Sequence, residues 1–323
     1  MANVPFIRGG SYGIPPHPFV LDQITTYGVS VDADMGALQA LVDTTLNAAP
    51  SGFRFAVISP QVLFSFMRMG CLRSEPAPNV GFYQETELNV TLMLAGWSQQ
   101  IPVPRIYWYM PYLWIDTPTP QLAGRDIFGY PKLLGKIDMP AGEGAPAEFC
   151  VSGEVIHPQS FGTCAEMRPV FRARRTDAGT PGPIEAGQLS LDADSALGIL
   201  LERVVDLNLG GLGGAAGMLA HAMGLDRLLK LVFLRQFPSI EDENSACYQS
   251  IASTTFNITN FHRAGLLAGN YEIEIPQNDS LNLASRLGIG GGAPGDVTVP
   301  AKTAYFMDFD MRLNRGTELW VAS

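Results

Sequence analysis

The chain is short of lysine, of basic runs, of paired cysteines and of long apolar stretches, and each shortage argues against a class of function. Only four lysines occur in 323 residues, Lys132, Lys136, Lys230 and Lys302, so most of the 21 basic residues are arginine. No basic run appears and the formal net charge is −10. Neutralising phosphates needs clustered Lys and Arg, so a nucleic-acid partner is not expected. Cys71, Cys150, Cys164 and Cys247 lie far apart with no CxxC pairing, which disfavours both a zinc site and a disulfide scaffold. No segment offers about 20 uninterrupted apolar residues, and "MANVPFIRGGSYGIPPHPF" lacks the apolar run of a signal sequence. The expectation is a cytoplasmic protein with no membrane partner. His17, His157, His221 and His262 show no HExxH spacing, no GxSxG elbow is present, and the glycines from Gly210 to Gly217 lack the Lys-Ser/Thr of a P-loop. No metal and no cofactor are expected.

What is present is apolar residues in abundance. Hydrophobic residues make up 46% of the chain and charged ones 16%, enough to build a large core and too apolar for wholesale disorder. Strand-like alternation recurs between Pro and Gly punctuation. In "GFYQETELNVTLML", Phe82, Gln84, Thr86, Leu88, Val90 and Leu92 point one way, and Tyr83, Glu85, Glu87, Asn89 and Thr91 the other. Similar runs occur in "PRIYWYMPYLWI", "EFCVSGEVI", "ACYQSIASTTFNITNFHR", "NYEIEIP" and "TAYFMDFDMRL". Such spacing predicts a mainly β (α+β) protein, a barrel or sandwich. "DMGALQALVDTTLN" predicts a helix with Leu38, Leu41 and Val42 on one face, and residues 188–231 read as a helical excursion from one domain spanning 1–323.

Lys132 stands out because it lies in "GRDIFGYPKLLGKI", between Pro131 and two leucines. A free lysine has a pKa of about 10.4, so about one amine in 2,500 is neutral at pH 7. Burial disfavours the ammonium and lowers that value, by about 3 to 5 pH units when complete. Local composition therefore offers two readings: a dry, nucleophilic amine, or a side chain that snorkels to water from an edge strand.

"GRDIFGYPKLLGKI" resembles the signature of the acetoacetate decarboxylase family, in which a Gly-Arg-acidic triplet precedes an aromatic-Pro-Lys. "GFYQETE" is similar to the family's Gly-x-Tyr-x-Glu strand, and "YLWIDTPTPQLAGRD" and "VDADMGALQALV" follow its pattern. The resemblance implies a β-barrel or cone with flanking helices, and a lyase, commonly a homo-oligomer, that joins Lys132 to a keto acid as a Schiff base. A lysine activated by desolvation or a neighbouring cation is the chemistry for which acetoacetate decarboxylase is itself the standing example. Glu85 takes the position of the active-site glutamate that moves protons at the adjacent carbon. Tyr83, Glu87, Phe128 and Tyr130 are expected around the substrate. Arg125 either neutralises a substrate carboxylate or fixes the loop through an acid such as Asp126.

The chain also departs from the pattern. Leu133 stands where the family's decarboxylases carry a second lysine. An ungapped comparison puts Ile24 at a substrate-facing arginine and Ala56 at a second glutamate. Activation is then expected from desolvation, unless Lys136 or an arginine folds back. Decarboxylation of a β-keto acid is the leading expectation, with an aldolase-dehydratase using a pyruvate-type acid and an aldehyde, or a non-catalytic small-molecule-binding barrel, as the alternatives. The aromatic run "YWYMPYLW" is consistent with subunit contacts as well as with core.

Overall fold

The computed structural model describes residues 5–7, 13–140, 148–177, 228–292 and 295–322. Fourteen strands appear among them: β1 (Phe19–Asp32), β2 (Arg54–Val57), β3 (Gln61–Ser74), β4 (Tyr83–Trp97), β5 (Arg105–Ile115), β6 (Lys132–Asp138), β7 (Glu148–Val155), β8 (Glu166–Arg175), β9 (Leu228–Pro238), β10 (Ala246–Leu266), β11 (Tyr271–Ile275), β12 (Val297–Pro300), β13 (Thr303–Leu313) and β14 (Thr317–Val321). The protein is mainly β, as the alternation predicts, and every run quoted above forms a strand. Most of the expected helical excursion lies outside the described residues. Its last four residues, 228–231, open β9 instead, which pairs antiparallel with β10.

The strands close on themselves. In order β4, β3, β1, β13, β10, β9 and β5 are hydrogen-bonded neighbours, and β5 returns to β4 along most of its length. Closure between β5 and β9 is a short parallel contact at Trp108 and Leu231. Beyond the ring, β6 leaves the end of β5 in parallel and leads into a second layer ordered β6, β7, β8, β11 and β12. Aromatic side chains weld the two layers: Phe64 stacks on Phe171 at 4.3 Å and Phe66 lies 4.9 Å from Phe149. Each such buried ring contributes about 1.5 to 3 kcal/mol from apolar burial.

The helix α1 (Met35–Asp43) forms where the 3.6-residue pattern places it. Asp34 caps it by accepting from the Ala37 N–H at 2.7 Å, and Leu38, Leu41 and Val42 are buried. The aromatic run on β5 is core: Tyr107, Trp108, Tyr109, Tyr112 and Trp114 are all buried. It therefore gives no argument for subunit contacts, a correction that follows from β5 lying between β4 and two further strands rather than at an edge. Among the described residues no helix is long and apolar enough to cross a membrane.

Candidate active site

Directly opposed residues of neighbouring strands share a face of the sheet. On β3, β4 and β5 this register sets Met69 beside Glu85, Met67 beside Glu87 and Ile115, and Asn89 beside Leu113. Lys132, the first residue of β6, pairs with Leu113. Three long-range pairings thus bring the lysine to the face that carries Glu85, Glu87 and Asn89. All four are buried, with Lys132 5% and Glu85 3% exposed. The Lys132 Nζ lies 3.3 Å from Glu87 Oε2 and 3.9 Å from Glu85 Oε1.

A short segment aims the amine. The helix α2 (Pro118–Ala123) runs into a π-helical turn, Gly124–Phe128, which ends at Gly129 with φ +78°. Only glycine takes that angle without strain, and a Cβ there would also sit 2.8 Å from Arg235 Cα. At Gly124 a Cβ would come within 2.7 Å of Lys132 Cδ, so the missing side chain is the space the lysine stem occupies. The Lys132 carbonyl accepts from Gln121 Nε2 at 3.3 Å and from Arg125 at 3.1 Å. Phe128 and Tyr130 stack at 5.2 Å, and Tyr130 packs against Phe233 at 4.4 Å.

The cavity in front of the amine is small, with about 70 Å³ of room for the centres of water-sized molecules. Its lining includes Lys132, Glu85, Glu87, Tyr83, Phe128 and Tyr130, which the structure brings together. Asn89 lines it too, and its Nδ2 donates to Glu87 Oε1 at 3.0 Å. The strand alternation puts Asn89 on the right face, but nothing in the sequence says it orients a carboxylate. Arg125 is placed elsewhere: it is exposed, outside the lining, and holds the backbone of the residue it was expected to assist.

Electrostatics correct the expectation of a depressed amine pKa. Desolvation lowers the Lys132 pKa, but Glu85 and Glu87 raise it by more, with a hydrogen bond to Glu87 adding to them, and the net direction is upward. The two glutamates thus favour the ammonium form of the amine. Burial acts unopposed enough on the other partner: desolvation raises the Glu85 pKa to about 7, against the pull of Lys132 and with help from Glu87 and Asp116. Glu85 Oε2 is buried without a hydrogen-bond partner, as is Asn89 Oδ1. Unpartnered buried acceptors of this kind are rare in proteins, and here they face a cavity. Burial also pushes the Tyr130 hydroxyl well above its ordinary value, with Glu87 acting in the same direction.

The departures noted in the sequence acquire physical meaning. Leu133 is the next residue along a strand, so its side chain points to the opposite face, beside Trp114 and against the core. Lys136 is exposed and pairs with Asp138 at 3.4 Å, and does not fold back. Ala56 lies on β2, outside the cavity lining, and the second carboxylate is Glu87, two residues from Glu85 on the same strand face. Ile24 is buried beside Met69 in the β1–β3 pairing.

Comparison with known proteins fits this geometry. Residues 3–156, which include β1 through β7 and Lys132, match the family model described as acetoacetate decarboxylase (ADC). No curated protein sequence matches the chain. An acetoacetate decarboxylase from Legionella pneumophila subsp. pneumophila shares 16% identity at a TM-score of 0.61, over 98% of this chain and 93% of that one. The enduracididine biosynthesis enzyme MppR complexed with pyruvate shares 16% identity at a TM-score of 0.54, over 96% and 93%. An acetoacetate decarboxylase-like enzyme from Sphingomonas wittichii RW1 shares 14% at a TM-score of 0.54, over the full length of both chains. At these identities the three structures establish a shared fold.

Proposed function

We propose that the chain is a member of the acetoacetate decarboxylase superfamily, a reading supported by the family-model match over residues 3–156 and the shared fold, and that it is a lyase that forms a Schiff base between Lys132 and a keto acid and releases carbon dioxide from it. The observation that carries this reading is the buried amine with two carboxylates within 4 Å, opening on an apolar cavity.

The first step is a proton transfer. The Lys132 ammonium gives a proton to a neighbouring carboxylate, and the neutral amine attacks the ketone carbon of the substrate. Loss of water from the carbinolamine leaves an iminium. The bond between the α-carbon and the carboxylate then breaks, carbon dioxide departs, and its electron pair moves through the α-carbon into the iminium to give an enamine. Glu85, whose carboxyl holds its proton up to about pH 7, returns a proton to that carbon. Water then hydrolyses the imine and frees the amine.

Charge favours decarboxylation over the aldol reading. Lys132 is the sole cation among the described residues lining the cavity, beside Glu85 and Glu87. A carboxylate that leaves as carbon dioxide needs no lasting partner, and its weak solvation in an apolar cavity favours its loss. A carboxylate retained through an aldol reaction needs a standing cation, and Lys132 is committed to the imine. The test is a product assay with the purified protein on 3-oxo acids alone and on pyruvate with aldehydes. Carbon dioxide release without aldehyde, lost in Lys132→Met, is the expected result. Aldehyde consumption without carbon dioxide release would establish the aldol reaction instead, and neither product would contradict the imine mechanism.

A further inference from the structure

The cavity is polar on one wall only. Glu85, Glu87 and Asn89 on β4 and Lys132 on β6 form that wall. Across the ring, Phe256 of β10 and Met311 and Leu313 of β13 face it, and Met67, Met69 and Met110 lie between. In the closed order of strands β13 stands three places from β4 by one route and four by the other, so these side chains form the far wall. Unbranched thioether side chains repack around varied shapes, and four of them converge here. No charged side chain of the described residues meets the cavity away from the polar wall.

We infer that the substrate is a 3-oxo acid with an extended hydrophobic acyl chain, its keto carbon at Lys132 and its tail against Phe256, Met311 and Leu313. This rests on the imine-forming reading of Lys132. A chain of only four carbons lays less apolar surface on that wall than a longer one, and a second carboxylate at the tail end meets no cation there among the described residues. Each methylene laid on that wall multiplies the rate at low substrate concentration by about three to four, the factor that burying one CH₂ supplies. A terminal carboxylate reverses the gain, since an unpaired charge in apolar surroundings is heavily disfavoured.

The test compares kcat/KM for carbon dioxide release from 3-oxobutanoate, 3-oxohexanoate, 3-oxooctanoate and 3-oxooctanedioate, corrected for the spontaneous reaction. In parallel, acetone, 2-pentanone and 2-heptanone are trapped on the protein with borohydride, which reads imine formation without the decarboxylation step. The eight-carbon monoacid is expected to exceed the four-carbon acid by at least about 30-fold and the diacid by at least about 100-fold, with trapping following the same order. Met311→Trp is expected to shrink the ratio of long to short substrate by about tenfold or more, by filling the far wall. Equal or falling kcat/KM along the series, with every ketone still trapped on Lys132, overturns the chain-length proposal and leaves the imine reading standing. Trapping of no ketone at all overturns both.

Discussion

The molecule contains the same charge pattern twice, one cation between two glutamates, in two different solvents. On the outer layer Arg172 of β8 sits 3.0 Å from Glu148 and 2.9 Å from Glu274, and all three side chains are a third or more exposed. In the cavity Lys132 sits between Glu85 and Glu87, with none of the three more than 8% exposed. Water screens the first triad, and such pairs are worth about 0 to 1 kcal/mol. Removing water from the second raises the Glu85 pKa to about 7, while the two glutamates outweigh desolvation and raise that of Lys132. The difference teaches that burial, rather than the presence of opposite charges, moves a carboxyl's titration toward neutrality.

The comparison breaks most sharply on substitution of the cations. Lys132→Met is expected to reduce kcat by at least about 10⁴, measured by carbon dioxide release, since it removes the covalent step. Arg172→Met is expected to leave kcat within about twofold. Glu85→Gln comes next. It keeps the shape of the side chain but not the proton, and kcat should fall about 10² to 10⁴. Wild-type kcat should decline as pH rises through about 7, where Glu85 loses its proton, and the variant should lack that limb.

Stability sharpens the contrast further. The folded pKa of Glu85 lies above its ordinary value of 4.5, so its protonated form is the one folding favours. Its contribution is therefore fully present below about pH 4.5 and lost as pH rises through about 7, a difference of about 3 kcal/mol. Urea unfolding from pH 4.5 to 8 should show wild type losing that much relative to Glu85→Gln. Gly124→Ala should lower kcat about tenfold by displacing the lysine stem, with a smaller effect on KM. Smallest of all, Arg172→Gln should cost at most about 1 kcal/mol in the same unfolding assay, and the cost should vanish in 1 M salt.

The strands were legible because alternation is local: β4 announces its two faces residue by residue. Lys132 was legible because it sits in a short local motif, in which Gly124 leaves room for its stem and Gly129 takes the positive φ that ends the turn. Three features escaped. The far wall of Phe256, Met311 and Leu313 depends on which strand meets which across the ring, and sequence distance hides that. Glu87 was expected near the substrate, but its contact with the Lys132 amine was obscured because a register comparison sought the second carboxylate at Ala56, whereas the strand supplies it at the next position on the same face. The direction of the amine's pKa was misread because desolvation acts through local neighbours, while the opposing carboxylates arrive through pairing of β4, β5 and β6.

The central claim is that the Lys132 nitrogen becomes covalently joined to substrate. Borohydride reduction of the protein during turnover of a 3-oxo acid, followed by peptide mass mapping, tests it directly. The account predicts one reduced ketone adduct per chain, carried by the peptide containing Lys132 and absent from Lys132→Met. Turnover that proceeds with no adduct, or with the adduct on Lys136, Lys230 or Lys302, would contradict it.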